Sequence, residues 1–419
     1  MTDQSPVRAS TGSDRLSRRR LFGHGVGAVA LFAAAPFPSV PVESLCCPSR
    51  PAAAPAYQRA SRQDLAEGRQ LAMAVAQRSR FVMRTVEAVR ALAAELPDPV
   101  ARGRTLDLLE NPAPTYQLRS PSAADRDDVR QELLAAGLIP ESTTVEGIFP
   151  LVADPREAPQ PFWSAPGSGF RAHHAYPGGL AVHELGFART AAHYRETYDE
   201  VYDLDAVPGA IDGHLLTGAS LWHDIQKVTV FQWQPDGSEL AEQTIADTGA
   251  HHTLGGAEAI VRGMSPEWIT TQLCAHDAPT LVQLRPGEAG RQRVVNYIRA
   301  AAIIARVDPV SFGLIRQTKD GGFVLRQDPP RIEGYITNFA DGDYLFTNDA
   351  IPLLVSTLAE IAAGDGIDSV REPARFNLFR NLVLSQLSEV RLYGILQQDS
   401  INGVRAAIER DVDLEQLRR

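Results

Sequence analysis

Nine of the ten histidines lie between residues 173 and 276. Several of them interrupt or end stretches that are otherwise apolar, as in Gly179-Leu-Ala-Val-His183, Leu221-Trp222-His223-Asp224-Ile225 and Leu273-Cys-Ala-His276. A helix with such a face is driven into the core. An imidazole or carboxylate carried in with it is costly unless it finds a partner there. The chain must therefore fold so that these side chains meet one another, or meet a metal.

The surrounding pattern is mainly α, with small β-hairpin insertions. Residues 58–96 repeat apolar side chains near a 3.6-residue period and stop at Pro97, which predicts one helix. Further helices are expected over 123–136, 178–200, 211–228, 253–263, 266–276, 288–306, 349–363, 374–396 and 400–410. The turn Pro235-Asp236-Gly237 predicts one hairpin and Asp320-Gly321-Gly322 a second. Residues 139–172, rich in Pro and Gly, read as an ordered loop. Four regions follow: a leader and linker at 1–56, a helical extension at 57–150, the histidine-rich domain at 151–312, and a C-terminal hairpin and helices at 313–419.

The chain has 419 residues and a net charge of -10. Residues 1–56 carry six Arg against three acids, or +3, so the remainder is about -13 by subtraction. A body of that sign has no electrostatic pull on long nucleic acids. The three cysteines, Cys46, Cys47 and Cys274, form neither a disulfide framework nor a zinc knuckle.

The most specific motif is His223-Asp224-Ile-Gln226-Lys227. On one helix, His223 and Lys227 would share a face one turn apart. A buried salt-bridge triad is the plain alternative for this string alone. It is not alone: His183 precedes it, His252 and His276 follow, and Asp308 ends an apolar helix. Imidazole and carboxylate ligands suit Fe, Mn, Zn or Co, and six ligands exceed what one tetrahedral ion needs. Two divalent ions sharing a carboxylate would suit displacement at phosphorus.

The order His…His-Asp…His…His…Asp over about residues 173–308 resembles the HD-domain metal-dependent phosphohydrolases. The nearest local likeness is to bacterial HD-domain 3′→5′ exoribonucleases, whose sites open with a string like His173-His174-Ala-Tyr-Pro-Gly-Gly-Leu-Ala-Val-His183. The resemblance implies a helical bundle and a small phosphate ester or nucleotide as substrate. By it, His183, His223, Asp224 and Asp308 hold one ion, and Asp224 bridges to a second ion held by His252 and His276. Lys227 contacts a phosphate oxygen. His173 and His174 precede the first ligand helix and are placed to reach substrate or relay protons. His251 reads equally as a structural residue or as one that orients a ligand. Gln226 stands where relatives carry Gly, and Asp277 where many carry a second His. An HD-fold di-iron oxygenase and a non-catalytic metal-binding protein remain as alternative readings.

The N-terminus has an address of its own. Ser17-Arg18-Arg19-Arg20-Leu21-Phe22 precedes an apolar run from Gly23 to Phe37. This layout resembles a twin-arginine export signal, and the run is short for a membrane span of about 20 residues. The expectation is a protein exported by the twin-arginine machinery to the periplasm or beyond, with no membrane span kept in its mature form.

Overall fold

Side-chain caps decide where most helices start. In the computed structural model, which describes residues 60–283 and 288–414, α1 spans Arg62–Arg78 and α2 spans Arg80–Ala94. Ser61 opens α1 in a reciprocal capping box with Asp64. The single helix expected over 58–96 is broken at Ser79, whose backbone is extended. Its hydroxyl accepts from Val82 N and donates to the Ser385 carbonyl at 2.7 Å, so the break also ties α2 to the C-terminal part. A helix absent from the sequence reading, α3 (Pro99–Glu110), starts from the Asp98 cap with Pro at its first position. The helix α4 (Ala123–Ala135) falls where its periodicity placed it. The long loop that follows holds one helical turn, α5 (Val145–Ile148). The leader and linker read over residues 1–56 lie outside the described residues.

The fold is mainly helical. Its remaining elements are α6 (Gly179–Tyr202), α7 (Gly213–Ser220), α8 (Lys227–Val230), β1 (Thr244–Ile245), β2 (Thr248–Gly249), α9 (Ala250–Val261), α10 (Pro266–Gln272) and α11 (Gly290–Ala305). They are followed by β3 (Ile315–Gln317), β4 (Phe323–Leu325), α12 (Ile332–Ala340), α13 (Tyr344–Gly364), α14 (Pro373–Leu387) and α15 (Glu389–Asp411). Strands β3 and β4 pair antiparallel around the expected Asp320-Gly321 turn. The other expected hairpin is reduced to one bridge, Trp233 to Glu239. The helix expected over 374–396 is broken at Ser388, which caps α15 through its hydroxyl.

Two departures matter for the site. The expected helix over 211–228 stops at Ser220, and residues 221–226 form turns before α8 begins at Lys227. The expected helix over 266–276 ends at Gln272, which leaves His276 on a turn.

The core runs through α2, α6, α9 and α11. Val82, Val86, Leu180, Trp222, Leu254, Val295 and Ile298 are all buried there, and α9 packs along α11. A second cluster joins α13, α14 and α15 through Leu354, Leu358, Phe379 and Val383. By length and composition Ile332–Gly364 would reach across a bilayer. The stretch is nonetheless two helices joined by a short 3-10 turn at Asp341–Asp343, with Ile336, Ala340, Leu354 and Leu358 buried.

Candidate metal centre

Five elements converge on Asp224. The glycine pair Gly178-Gly179 opens α6: Gly178 has a φ of +89°, and a side chain on Gly179 would meet the His174 carbonyl oxygen at 1.8 Å. The 165–176 loop thereby lies directly on the start of α6, one turn before His183. The turn after α7 carries His223 and Asp224, α9 carries His251, the turn after α10 carries His276, and the turn after α12 carries Asp341.

The two oxygens of Asp224 face two groups. His183 Nε2 and His223 Nε2 lie 2.9 and 3.2 Å from Oδ2 and 3.1 Å from each other. His251 Nε2 and His276 Nε2 lie 3.1 and 3.5 Å from Oδ1. Each set of three donors could hold a metal ion. Asp341 stands against both: its Oδ1 is 3.5 Å from His183 Nε2 and 3.7 Å from His223 Nε2, and its Oδ2 is 3.8 Å from His276 Nε2.

The outer ring nitrogens are anchored. His223 Nδ1 lies 2.7 Å from the Ser220 carbonyl, to which it can only donate, which turns Nε2 toward Asp224. His251 Nδ1 lies 2.7 Å from the Glu242 carboxylate, and His276 Nδ1 lies 2.8 Å from the Thr248 hydroxyl. Strands β1 and β2 place Thr248, and with it the second group.

The donor set fits a metal. Ligands at about 2.1 Å from an ion sit roughly 3.0–3.4 Å from one another; the distances around Asp224, 2.9 to 3.5 Å, lie in or next to that range, and the Asp341 oxygens stand farther off. His251 Nε2 and Asp224 Oδ1 approach to 3.1 Å, and neither has a well-aligned hydrogen-bond partner among the described residues. Without an ion, His251 is protonated toward Asp224; an ion at that point would displace the proton and take both atoms as ligands.

Lys227 is buried. Its ammonium pairs with Asp224 Oδ2 at 2.5 Å and donates to the Gly167 carbonyl. Burial would push the Asp224 carboxyl up, but His223, Lys227 and His251 hold it well below the usual carboxylate range. His183 is held well below the usual histidine range by burial and by Lys227. Burial would also push His251 down, yet Glu242 and Asp224 bring it to about 9.

The other sequence candidates sort as follows. Asp308 is a correction: it is exposed, and its carboxylate caps the Val310 and Ser311 amides. The carboxylate beside the histidines is Asp341. His252 is a second correction, because the neighbour on the same helix, His251, is the one that faces Asp224. Both His252 ring nitrogens are buried without partners, and its ring stacks on His276 at 4.1 Å. Consecutive helical residues point about 100° apart, so only one of an adjacent pair can face the centre. His173 borders the cluster, with its ring 5.4 Å from that of His183. The His174 ring is 5.7 Å from that of His183 and pairs with Glu389 at 2.6 Å; burial would push it down, but Glu389 and Asp343 raise it to about 9. Asp277 accepts from the Tyr297 hydroxyl. Asp341 carried a readable signal, since it follows the apolar α12 just as Asp308 follows α11. Sequence order alone does not choose between them.

Comparison of the chain with known protein families, with curated proteins and with solved structures gave no match.

Proposed function

We propose that this chain is a metal-dependent phosphohydrolase of the HD type, acting on a small phosphate ester or nucleotide. The observation that carries the reading is the arrangement around Asp224: three anchored imidazoles and His183 turn their Nε2 atoms toward its two oxygens. His183, His223 and Asp224 would hold one ion, and Asp224, His251 and His276 a second, with Asp341 beside both. Such ions supply the positive charge that neutralises a phosphate and the acidity that makes water a nucleophile near neutral pH.

The chain's own residues do the rest. Lys227 keeps Asp224 ionised and fixed. His173, held well below the usual histidine range by burial and by Lys227, is a neutral imidazole at the edge of the cluster, suited to accept a proton from substrate or water. The test is metal analysis of protein purified with its native metal, followed by a panel of phosphate mono- and diesters. Release of phosphate or alcohol that disappears on chelation and returns with Mn, Fe, Zn or Co is expected.

One observation favours a second reading. Lys227 spends two of its three donors on Asp224 and Gly167, so it is not a free cation waiting for phosphate. An HD-fold di-iron oxygenase needs the same donors without a phosphate contact. Metal-replete protein that cleaves no ester in the panel but consumes oxygen with an organic substrate would put that reading in place of the first.

The proposal includes export by the twin-arginine route, supported by Arg18-Arg19 and the apolar run behind them. Replacing both arginines with Lys is expected to leave the protein in the cytoplasm, as cell fractionation would show.

A further inference from the structure

Away from the histidines, a cleft of about 760 Å³ lies between the 234–241 turn, α13 and α14. None of the cluster residues lines it. Its walls are largely apolar: Pro352, Val355 and Ala359 on one face of α13, with Val370, Pro373 and Phe376 opposite. Its polar residues include two that lack the partners their burial requires.

Arg380 is 2 % exposed, yet among the described residues its hydrogen-bond acceptors are the Asn381 side chain and the Ala175 carbonyl alone. Among the described residues it forms no ion pair within 4 Å, Glu239 acting on it only at longer range, and its guanidinium lies over the Phe170 ring at 4.5 Å. A buried cation without a counter-ion is unfavourable. Glu239 is 5 % exposed, and neither carboxyl oxygen has a hydrogen-bond partner. Burial, only partly opposed by Arg380, pushes that carboxyl up to about 8, so near neutrality it is mostly an acid with a proton to donate. One buried cation lacks an anion, and one buried acid lacks an acceptor.

We propose that this cleft binds an organic monoacid, with its carboxylate between Arg380 and Glu239 and its apolar body along α13. A carboxylate accepts from the guanidinium and from the Glu239 hydroxyl at once, and both bonds are charge-assisted. A single acid fits better than a phosphate, because Asp236 and Glu239 line the same cleft. Arg171, also in the lining and 5.2 Å from Phe170, adds positive charge for an incoming anion. The inference does not depend on the reaction proposed at the histidine cluster.

Calorimetric titration with octanoate and with octan-1-ol tests it on the full chain. Octanoate is expected to bind, and octan-1-ol at least ~10-fold more weakly, since it lacks the charge that Arg380 requires. Arg380→Met should cost octanoate ~10-fold or more and leave octan-1-ol unchanged. If that variant does not fold, Glu239→Leu carries the same comparison. Ser356→Phe, at an exposed lining position, should block both ligands by filling the cleft. Equal affinity for acid and alcohol, octanoate affinity unaffected by the loss of Arg380 or Glu239, or undiminished binding to Ser356→Phe would each overturn the proposal.

Discussion

Asp224 and Glu239 are both buried carboxyls, 1 % and 5 % exposed, in opposite surroundings. Asp224 sits among four imidazoles and an ammonium, which hold it ionised despite its burial. Glu239 has no side-chain hydrogen-bond partner among the described residues, and burial makes it a weak acid. The first region assembles its own charge balance and turns its imidazole Nε2 atoms toward one carboxylate; the second leaves charge balance incomplete. A centre that must hold cations before any substrate arrives is expected to be built in the first way. A pocket that waits for an anionic ligand is expected to be built in the second. Changes that remove either carboxyl should therefore have opposite signs.

The largest effect is expected at Asp224. Asp224→Asn removes the carboxylate that both donor groups share, so elemental analysis should find both ions lost and esterase activity down by roughly 10³-fold or more. His251→Ala should lose mainly one ion, and His252→Ala neither. Full metal content in Asp224→Asn would show that the two groups do not depend on it.

Lys227→Ala sharpens the contrast, because its effect should depend on metal. Without ions, it leaves Asp224 as a buried charge without its ammonium, a loss of about 3 kcal/mol or more in denaturant unfolding. With ions bound, most of that loss should vanish, because the ions then balance the Asp224 charge. Equal destabilisation with and without metal would mean that no cation takes over the role of Lys227.

Much of the cluster was legible in the sequence, because polar residues on otherwise buried helices have few places to go. His183, His223, Asp224 and His276 meet as their apolar surroundings implied. The resemblance that supplied the ligand order named His252 and Asp308, two choices that depend on rotation and on chain path and that the structure makes differently. His251 and His252 are adjacent, and the helix start at Ala250 decides which one faces Asp224. Asp308 and Asp341 each follow an apolar helix, and only the packing of α12 against α6 and α7 brings one of them to the histidines. The break at Ser79 was likewise hidden, since its cause is a hydrogen bond to Ser385, more than three hundred residues away. The Glu239 cleft gave no sequence signal, because an unpartnered glutamate reads like any other.

Glu239→Gln should stabilise the protein, and by an amount that grows with pH. The folded carboxyl titrates at about 8 against an ordinary value of 4.5. Between those values the folded state holds a proton that the unfolded state releases, so stability falls as pH rises, by at most about 1.4 kcal/mol per unit. Below the lower value the contribution is whole, and above about 8 no more is lost. The glutamine does not titrate. The gain of Glu239→Gln over the native chain should thus be small at pH 5 and largest at pH 8, in denaturant melts at both. A gain that does not change with pH would mean that the buried carboxyl is not titrating in this interval.

The smallest effect is expected at Asp308, and its smallness is informative. The order of residues read from the sequence points to this residue as a ligand, yet its carboxylate is exposed and accepts from the Val310 and Ser311 amides, and hydrogen bonds from Ser311 hold it below the usual carboxylate range. It therefore acts as a turn cap in solvent, and its removal should reach only the local turn before β3. Asp341 lies buried within 3.8 Å of three imidazoles. Asp308→Asn is expected to leave metal content and activity unchanged, with at most a slight fall in melting temperature. Asp341→Asn should lower metal affinity and activity together, because an amide oxygen carries no charge for the ion. Run side by side under one metal buffer, the pair separates the ligand that sequence order names from the one that the packing of α12 supplies. Loss of metal in Asp308→Asn with none in Asp341→Asn would reverse the assignment.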